Sequence, residues 1–100
     1  MFVHNVYFWL RDDLTDQEEE AFVEGLESLT EIDLVNDSFV GRPAGTPREV
    51  VDNSFAYSLI LEFDDADDQD AYQTHPVHEE FVETCESFWE RVQVYDSLKV

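Results

Sequence analysis

Phe2-Val3-His4-Asn5-Val6-Tyr7-Phe8-Trp9-Leu10 is the run on which the fold turns. It is short, aromatic and β-branched, and it stops at the charged Arg11-Asp12-Asp13, so it reads as a strand. Side chains alternate across a strand, which gives one face His4, Val6, Phe8 and Leu10 and the other Val3, Asn5, Tyr7 and Trp9. Neither face is polar enough to sit in water. A sheet built around this strand needs a cover on both sides.

The elements that could supply one cover follow in order. Thr15-Asp16-Gln17-Glu18 is a capping box and opens a helix running to about Thr30. Phe22, Leu26 and Leu29, with Ala21 and Gly25, form its apolar side, and Glu19, Glu20, Glu24 and Glu27 cover the rest. Residues 35–40 read as a second strand, weakened by Asn36, Asp37 and Ser38. Residues 41–48 make a loop that holds two of the four arginines, two of the three glycines and two of the three prolines. Its arginines relieve acidic repulsion, or they greet an anionic ligand. A third strand spans residues 55–63, with Tyr57, Leu59, Leu61 and Phe63 on one face and Ala56, Ser58, Ile60 and Glu62 on the other. Asp64-Asp65-Ala66-Asp67-Asp68 caps a short helix ending near Thr74.

The helix after Pro76 carries Val77, Phe81, Cys85 and Phe88 on one line, with His78, Val82 and Trp89 beside it. Residues 92–98 form the last strand. The order β-α-β-β-α-β predicts one α+β domain over residues 1–100, a ferredoxin-like protomer. Its four-stranded antiparallel sheet should carry both helices on one face, the second helix broken at Pro76. The opposite face, with Tyr7, Trp9 and Ile60, has no helix to cover it, so a second copy of the chain should pack there.

Charge narrows the partners further. Twenty-five acids face five cations, of which only Lys99 is a lysine, and the net charge is −20. Nucleic acid and anionic membranes would be repelled. A hydrophobic content of 43% with fourteen aromatics argues against disorder. Acids spread over every segment fit a folded protein working in concentrated salt, where the Debye length falls to about 3 Å. Cys85 is the one cysteine, which forbids an intrachain disulfide and suits a reducing compartment. Its place in an apolar stripe reads as packing. The N-terminus has no basic region or cleavage site and no apolar run approaches ~20 residues, so a cytoplasmic location is expected.

Tyr72-Gln73-Thr74-His75-Pro76-Val77-His78 gathers a phenol and two of the three histidines around a helix break. Proline disfavours helix in the preceding residue yet suits a helix's first turn, so His78 falls at the start of the new helix. A phenol and an imidazole beside an apolar wall can perform acid–base chemistry without a cofactor. They can equally satisfy each other inside a core. Two influences on His78 oppose: the helix N-terminus disfavours imidazolium, and Glu79 and Glu80 favour it. His75-x-x-His78 with His4 could hold a metal, but Pro76 interrupts the helix between the histidines, and no His-Glu-x-x-His pattern occurs. No glycine-rich phosphate loop, nucleotide fingerprint or Ser-His-Asp arrangement is present.

On Tyr72-x-x-His75-Pro76-x-His78-x-x-Phe81, the N-terminal His4 strand, Phe63-Asp64 and the C-terminal Ser87-Phe88-Trp89-Glu90 to Tyr95-Asp96, the chain resembles the stress-responsive dimeric α/β-barrel domain family over nearly its whole length. The resemblance implies a homodimer whose two sheets close into a barrel with helices outside, and no metal or other cofactor. The activity-bearing relatives it resembles are plant polyketide cyclases of the olivetolic acid type, in which a Tyr and a His of this motif serve an intramolecular aldol condensation. Carried over by position, the catalytic pair would be Tyr72 and His78. His4 and His75 would lie near the pocket, and Val6, Phe8, Phe22, Val23, Leu26, Leu59, Leu61 and Phe81 would line it. Asp96 stands at the matching acidic position. Tyr57 replaces a pocket histidine of those cyclases, and Gln73 and Glu79 replace apolar residues, so the plant substrate is not implied. The resulting expectation is a domain that binds a small hydrophobic carbonyl compound beside Tyr72 and His78. The alternatives are a cofactor-free lyase or cyclase using that pair, or a cofactor-free monooxygenase. A ligand site there calls for a hollow on the order of 300 Å³.

Overall fold

The first strand lies inside the sheet, where its two apolar faces require it to be. The computed structural model describes residues 1–100. Its elements are β1 (Phe2–Leu10), α1 (Asp16–Thr30), β2 (Asp37–Gly41), β3 (Tyr57–Phe63), α2 (Ala66–Gln73), α3 (Pro76–Cys85) and β4 (Trp89–Leu98). The sheet order is β2-β3-β1-β4 with antiparallel neighbours throughout, the arrangement of a ferredoxin-like protomer. The helices lie together on one face, here called inner.

Local chemistry sets the helix boundaries. The Thr15 hydroxyl accepts from the Glu18 N–H at 3.1 Å and the Glu18 carboxylate accepts from the Thr15 N–H at 2.9 Å, closing both arms of the box that starts α1. Asp65 caps α2 through the Asp68 N–H. His75 is extended, at φ −64° and ψ 139°, as a residue before proline should be, and its Nδ1 accepts from the Val77 N–H to cap α3. The break at Pro76 is therefore a built corner between two helices.

Four boundaries differ from the sequence reading. Trp89, expected on the last helix, opens β4 opposite Leu10. Helix α3 stops at Cys85, and Glu86–Phe88 tighten into a 3₁₀ turn. Arg11 draws that turn to the end of β1, its N–H bonding the Phe88 carbonyl and its guanidinium the Ser87 carbonyl. The indole then enters the sheet three residues before the strand expected at residue 92. Strand β2 starts at Asp37, two residues later than expected, because the Val35 N–H turns back to the Ile32 carbonyl. Strand β3 starts at Tyr57, and Phe55 lies just outside it.

The core fills the space between the inner face and the helices. Phe22, Leu26 and Leu29 of α1, Tyr72 of α2, and Phe81 and Cys85 of α3 bury against Phe2, Val6, Phe8, Leu59, Leu61 and Phe63. Gly25 permits the approach of α1 to α3, since a Cβ there would lie 2.9 Å from the Phe81 ring. No helix is long and apolar enough to cross a membrane.

Candidate functional site

Strand register brings the first site residues together. His4 of β1 and Asp96 of β4 are direct cross-strand partners on the inner face. The His4 Nδ1–H donates to the Asp96 carboxylate at 2.6 Å. That bond fixes the ring's orientation and, in the neutral imidazole, leaves Nε2 as the acceptor. His4 is buried, whereas Asp96 is partly open to water.

The helix corner brings the other two. Tyr72 projects from the last turn of α2 and His78 from the first turn of α3, with ring centroids 4.8 Å apart and planes at 69°. The His4 ring lies 6.0 Å from Tyr72, so the phenol has both imidazoles as neighbours. Tyr72 is almost wholly buried, and burial pushes its hydroxyl far above the ordinary phenol range, so it stays a proton donor. Burial is the main cause that lowers the His78 pKa; charge on His4 lowers it further and Glu79 opposes. Burial, which the sequence reading did not weigh, outweighs the pull of Glu79 and favours the neutral ring. Its Nδ1 is buried and has no hydrogen-bond partner in the chain. Such an atom forfeits about 1–3 kcal/mol unless a ligand or water meets it.

These groups border a cleft of about 190 Å³, partly open to solvent. Apolar walls come from Val6, Phe8, Leu59 and Phe81, with His4, Tyr72 and His78 as polar points. The hollow is smaller than the expected order of 300 Å³. Trp89 lines it from the strand side, its indole stacked on Phe81 at 5.8 Å.

Other expected residues fall elsewhere. Phe22, Leu26 and Leu61 are sealed in the core beneath the cleft. Val23 of α1 is half-buried outside its wall. The Tyr57 hydroxyl donates to Glu19 at 2.8 Å, away from the other groups. His75 commits Nδ1 to the helix cap and does not join the cleft. No group of three or more His, Cys, Asp or Glu side chains is gathered as a metal site. The sequence reading missed Leu29, Val82, Trp89, Val92 and Val94 as lining residues. Gln73, noted only as a departure from the cyclases, stands at the rim.

The family model described as Stress responsive A/B Barrel Domain matches residues 2–98. The chain belongs to this family. Among solved structures, a dabb family protein from Mesorhizobium loti is 23% identical, with a TM-score of 0.79 over 99% of this chain and 96% of that one. The hydroxynitrile lyase of Passiflora edulis is 16% identical, with a TM-score of 0.81 over 96% and 90%. A dimeric ferredoxin-like protein of unknown function from Thermobifida fusca is 18% identical, with a TM-score of 0.78 over 96% and 88%. No curated protein sequence matches the chain. At these identities the likeness to solved structures is one of fold.

Proposed function

We propose that this stress-responsive A/B barrel domain binds a small, neutral, apolar carbonyl compound in the cleft beside Tyr72 and His78. The unpaired, buried Nδ1 of His78 on an otherwise greasy wall carries this reading. Such a nitrogen meets a carbonyl oxygen when it bears the proton. Size narrows the ligand class: a dry cavity of about 150 Å³ accommodates benzene, so about 190 Å³ suits one ring with a short polar substituent. A linear polyketide of the cyclase type is too long for it. The chain's charge of −20 disfavours carboxylate ligands.

Benzaldehyde and acetophenone are suitable probes, followed by amide chemical shifts. Saturable shifts at α2, α3 and β4 are expected, and Val82→Trp, which fills the cleft, should abolish them. Shifts that persist in the filled variant, or none at millimolar probe, would remove the reading.

A second, catalytic reading draws on the His4–Asp96 hydrogen bond next to the phenol. In it the His78 Nδ1 lone pair takes the proton α to the carbonyl. The C–H electrons pass into the enolate, and Tyr72 donates to its oxygen. This is the first half of aldol chemistry. Deuterium uptake into the acetophenone methyl, lost in His78→Gln while binding survives, is the expected sign. Unchanged uptake in that variant would leave binding alone.

The bare outer face and the dimeric neighbour support a homodimer. The acidic surface and lone cysteine support a salt-rich, reducing cytoplasm as its setting.

A further inference from the structure

The helix layer carries a concavity of its own, lined by residues of α1 and α3 and the α1 C-cap, with no strand residue. The two helices run antiparallel, because each returns from one of two antiparallel strands, α1 from β1 and α3, by way of α2, from β3. Between them lies an open groove of about 500 Å³. Ala21, Gly25 and Ser28 of α1 form its floor with Val77, Phe81 and Cys85 of α3. Phe81 and Cys85 are buried, and the thiol is free. A Cβ at Gly25 would lie 3.0 Å from the Cys85 sulfur, so the glycine keeps this floor low.

Carboxylates make the rim. Glu24 and Glu31 stand two helical turns apart, about 10 Å along the axis of α1. Gly25 lies opposite Phe81 and Cys85, so in antiparallel helices Glu80 of α3 falls between Glu24 and Glu31 along the groove. All three acids are exposed, and none has an ion pair within the chain. Neither helix contains a lysine or arginine. Glu31 is moreover the C-cap of α1, where the helix dipole already concentrates negative charge and a cation is the favoured neighbour. Glu24 follows Glu20 by one turn, a like-charge pair that also gains from a cation. The counter-charge must come from outside the chain. The acids are too spread to gather on one metal ion, and no group of three or more His, Cys, Asp or Glu is placed to hold one. An extended cation with an apolar stem suits both rim and floor.

We propose that this groove binds a linear aliphatic polyamine. Its methylenes lie along the floor, its end ammoniums meet Glu24 and Glu31, and an inner ammonium meets Glu80. Bonds of about 1.5 Å in an extended zigzag set ammoniums separated by eight chain atoms about 11 Å apart, close to the spacing of the two α1 carboxylates. The site is separate from the cleft beside Tyr72 and His78, and it lies on the opposite side of the sheet from the face assigned to a second copy.

Spermidine is the probe, titrated into the whole chain at about 0.1 M salt, where charges act over about 10 Å. Saturable amide shifts are expected along α1 and α3 and absent from β4. At equal charge, 1,8-diaminooctane should bind about tenfold or more tightly than 1,3-diaminopropane, which has less than half the span. Glu24→Gln with Glu31→Gln should weaken spermidine about tenfold through two lost pairs. Glu20→Gln with Glu27→Gln removes the same charge at the same spacing, from positions outside the groove, and should weaken it about threefold at most. Ser28→Trp fills the floor with every carboxylate in place and should weaken binding as much as the first pair. Equal losses in the two double variants, equal affinity for the two diamines, or shifts spread over every acidic segment would mean diffuse attraction to an acidic surface and overturn the site. Binding that survives Ser28→Trp, or none at millimolar spermidine, overturns it as well.

Discussion

The inner and outer faces of this sheet are written by alternate residues of the same strands, yet they solve burial differently. On the inner face Phe8, Phe22, Phe81 and Trp89 pack edge-on and stacked, with centroids 5.2 to 6.3 Å apart, under helices of the same chain. On the outer face Tyr7 packs on Phe55 at 5.0 Å and on Tyr95 at 6.3 Å, with no helix of the chain above them. The inner surface is closed except at one cleft, where histidines and a phenol interrupt the apolar wall. The outer one is open, and Tyr95 remains 61% exposed. An aromatic strand therefore does not by itself mark a core. What covers each side decides whether it stabilises the monomer, an assembly or a ligand.

That contrast breaks most sharply at Phe22, which is fully buried between Phe8 and Phe81. Phe22→Ala should cost about 3–5 kcal/mol, a large part of the stability of a domain this size. Urea melts should show that loss at every protein concentration. Trp9→Ala on the outer face should behave oppositely. Removing an aromatic anchor there should cost about 2 kcal/mol of association, roughly a thirtyfold weaker dimer, with little loss in dilute protein. A concentration-independent loss in Trp9→Ala would mean the outer aromatics serve the monomer, and the distinction between the faces would fall. Thr15→Ala, remote from both, should cost about 1 kcal/mol through one lost cap and calibrates the two.

Legibility followed the range of the interactions. The capping box at Thr15, the corner at Pro76 and the alternation of β1 are local, and the sequence carried them almost to the residue. The end of α3 was not legible, because Arg11, distant in sequence, pulls the Ser87–Phe88 turn onto β1. This moved Trp89 from helix to strand, where it lines the cleft. The meeting of His4 with Asp96 depends on strand register, which the chain's ends set only when β4 pairs with β1. The proximity of Tyr72 and His78 was legible because six residues and one proline hold them together. Which neighbours seal the cleft was not, since Phe22 and Val82 look alike in a helical pattern while only Val82 lines the hollow.

The smallest effect separates the cleft from the rest of the inner face by its response to pH. Burial lowers the His78 pKa below the ordinary 6.5, so the native ring resists a proton that the unfolded chain accepts. Between the two values the unfolded state binds more protons, and stability must rise with pH across that window. Falling pH therefore weakens the fold from about 6.5 downward until the native ring itself takes the proton, after which this contribution levels off. The many carboxylates impose their own acid dependence at lower pH, so the comparison must be differential. His78→Gln removes the titrating ring, and the difference between its unfolding free energy and that of the wild type should change over pH 5 to 7 in the wild type's disfavour on the acid side. Parallel curves for the two proteins would mean that the ring titrates as freely as it does unfolded, and the case for a desolvated, unpartnered nitrogen in the cleft would be lost with it.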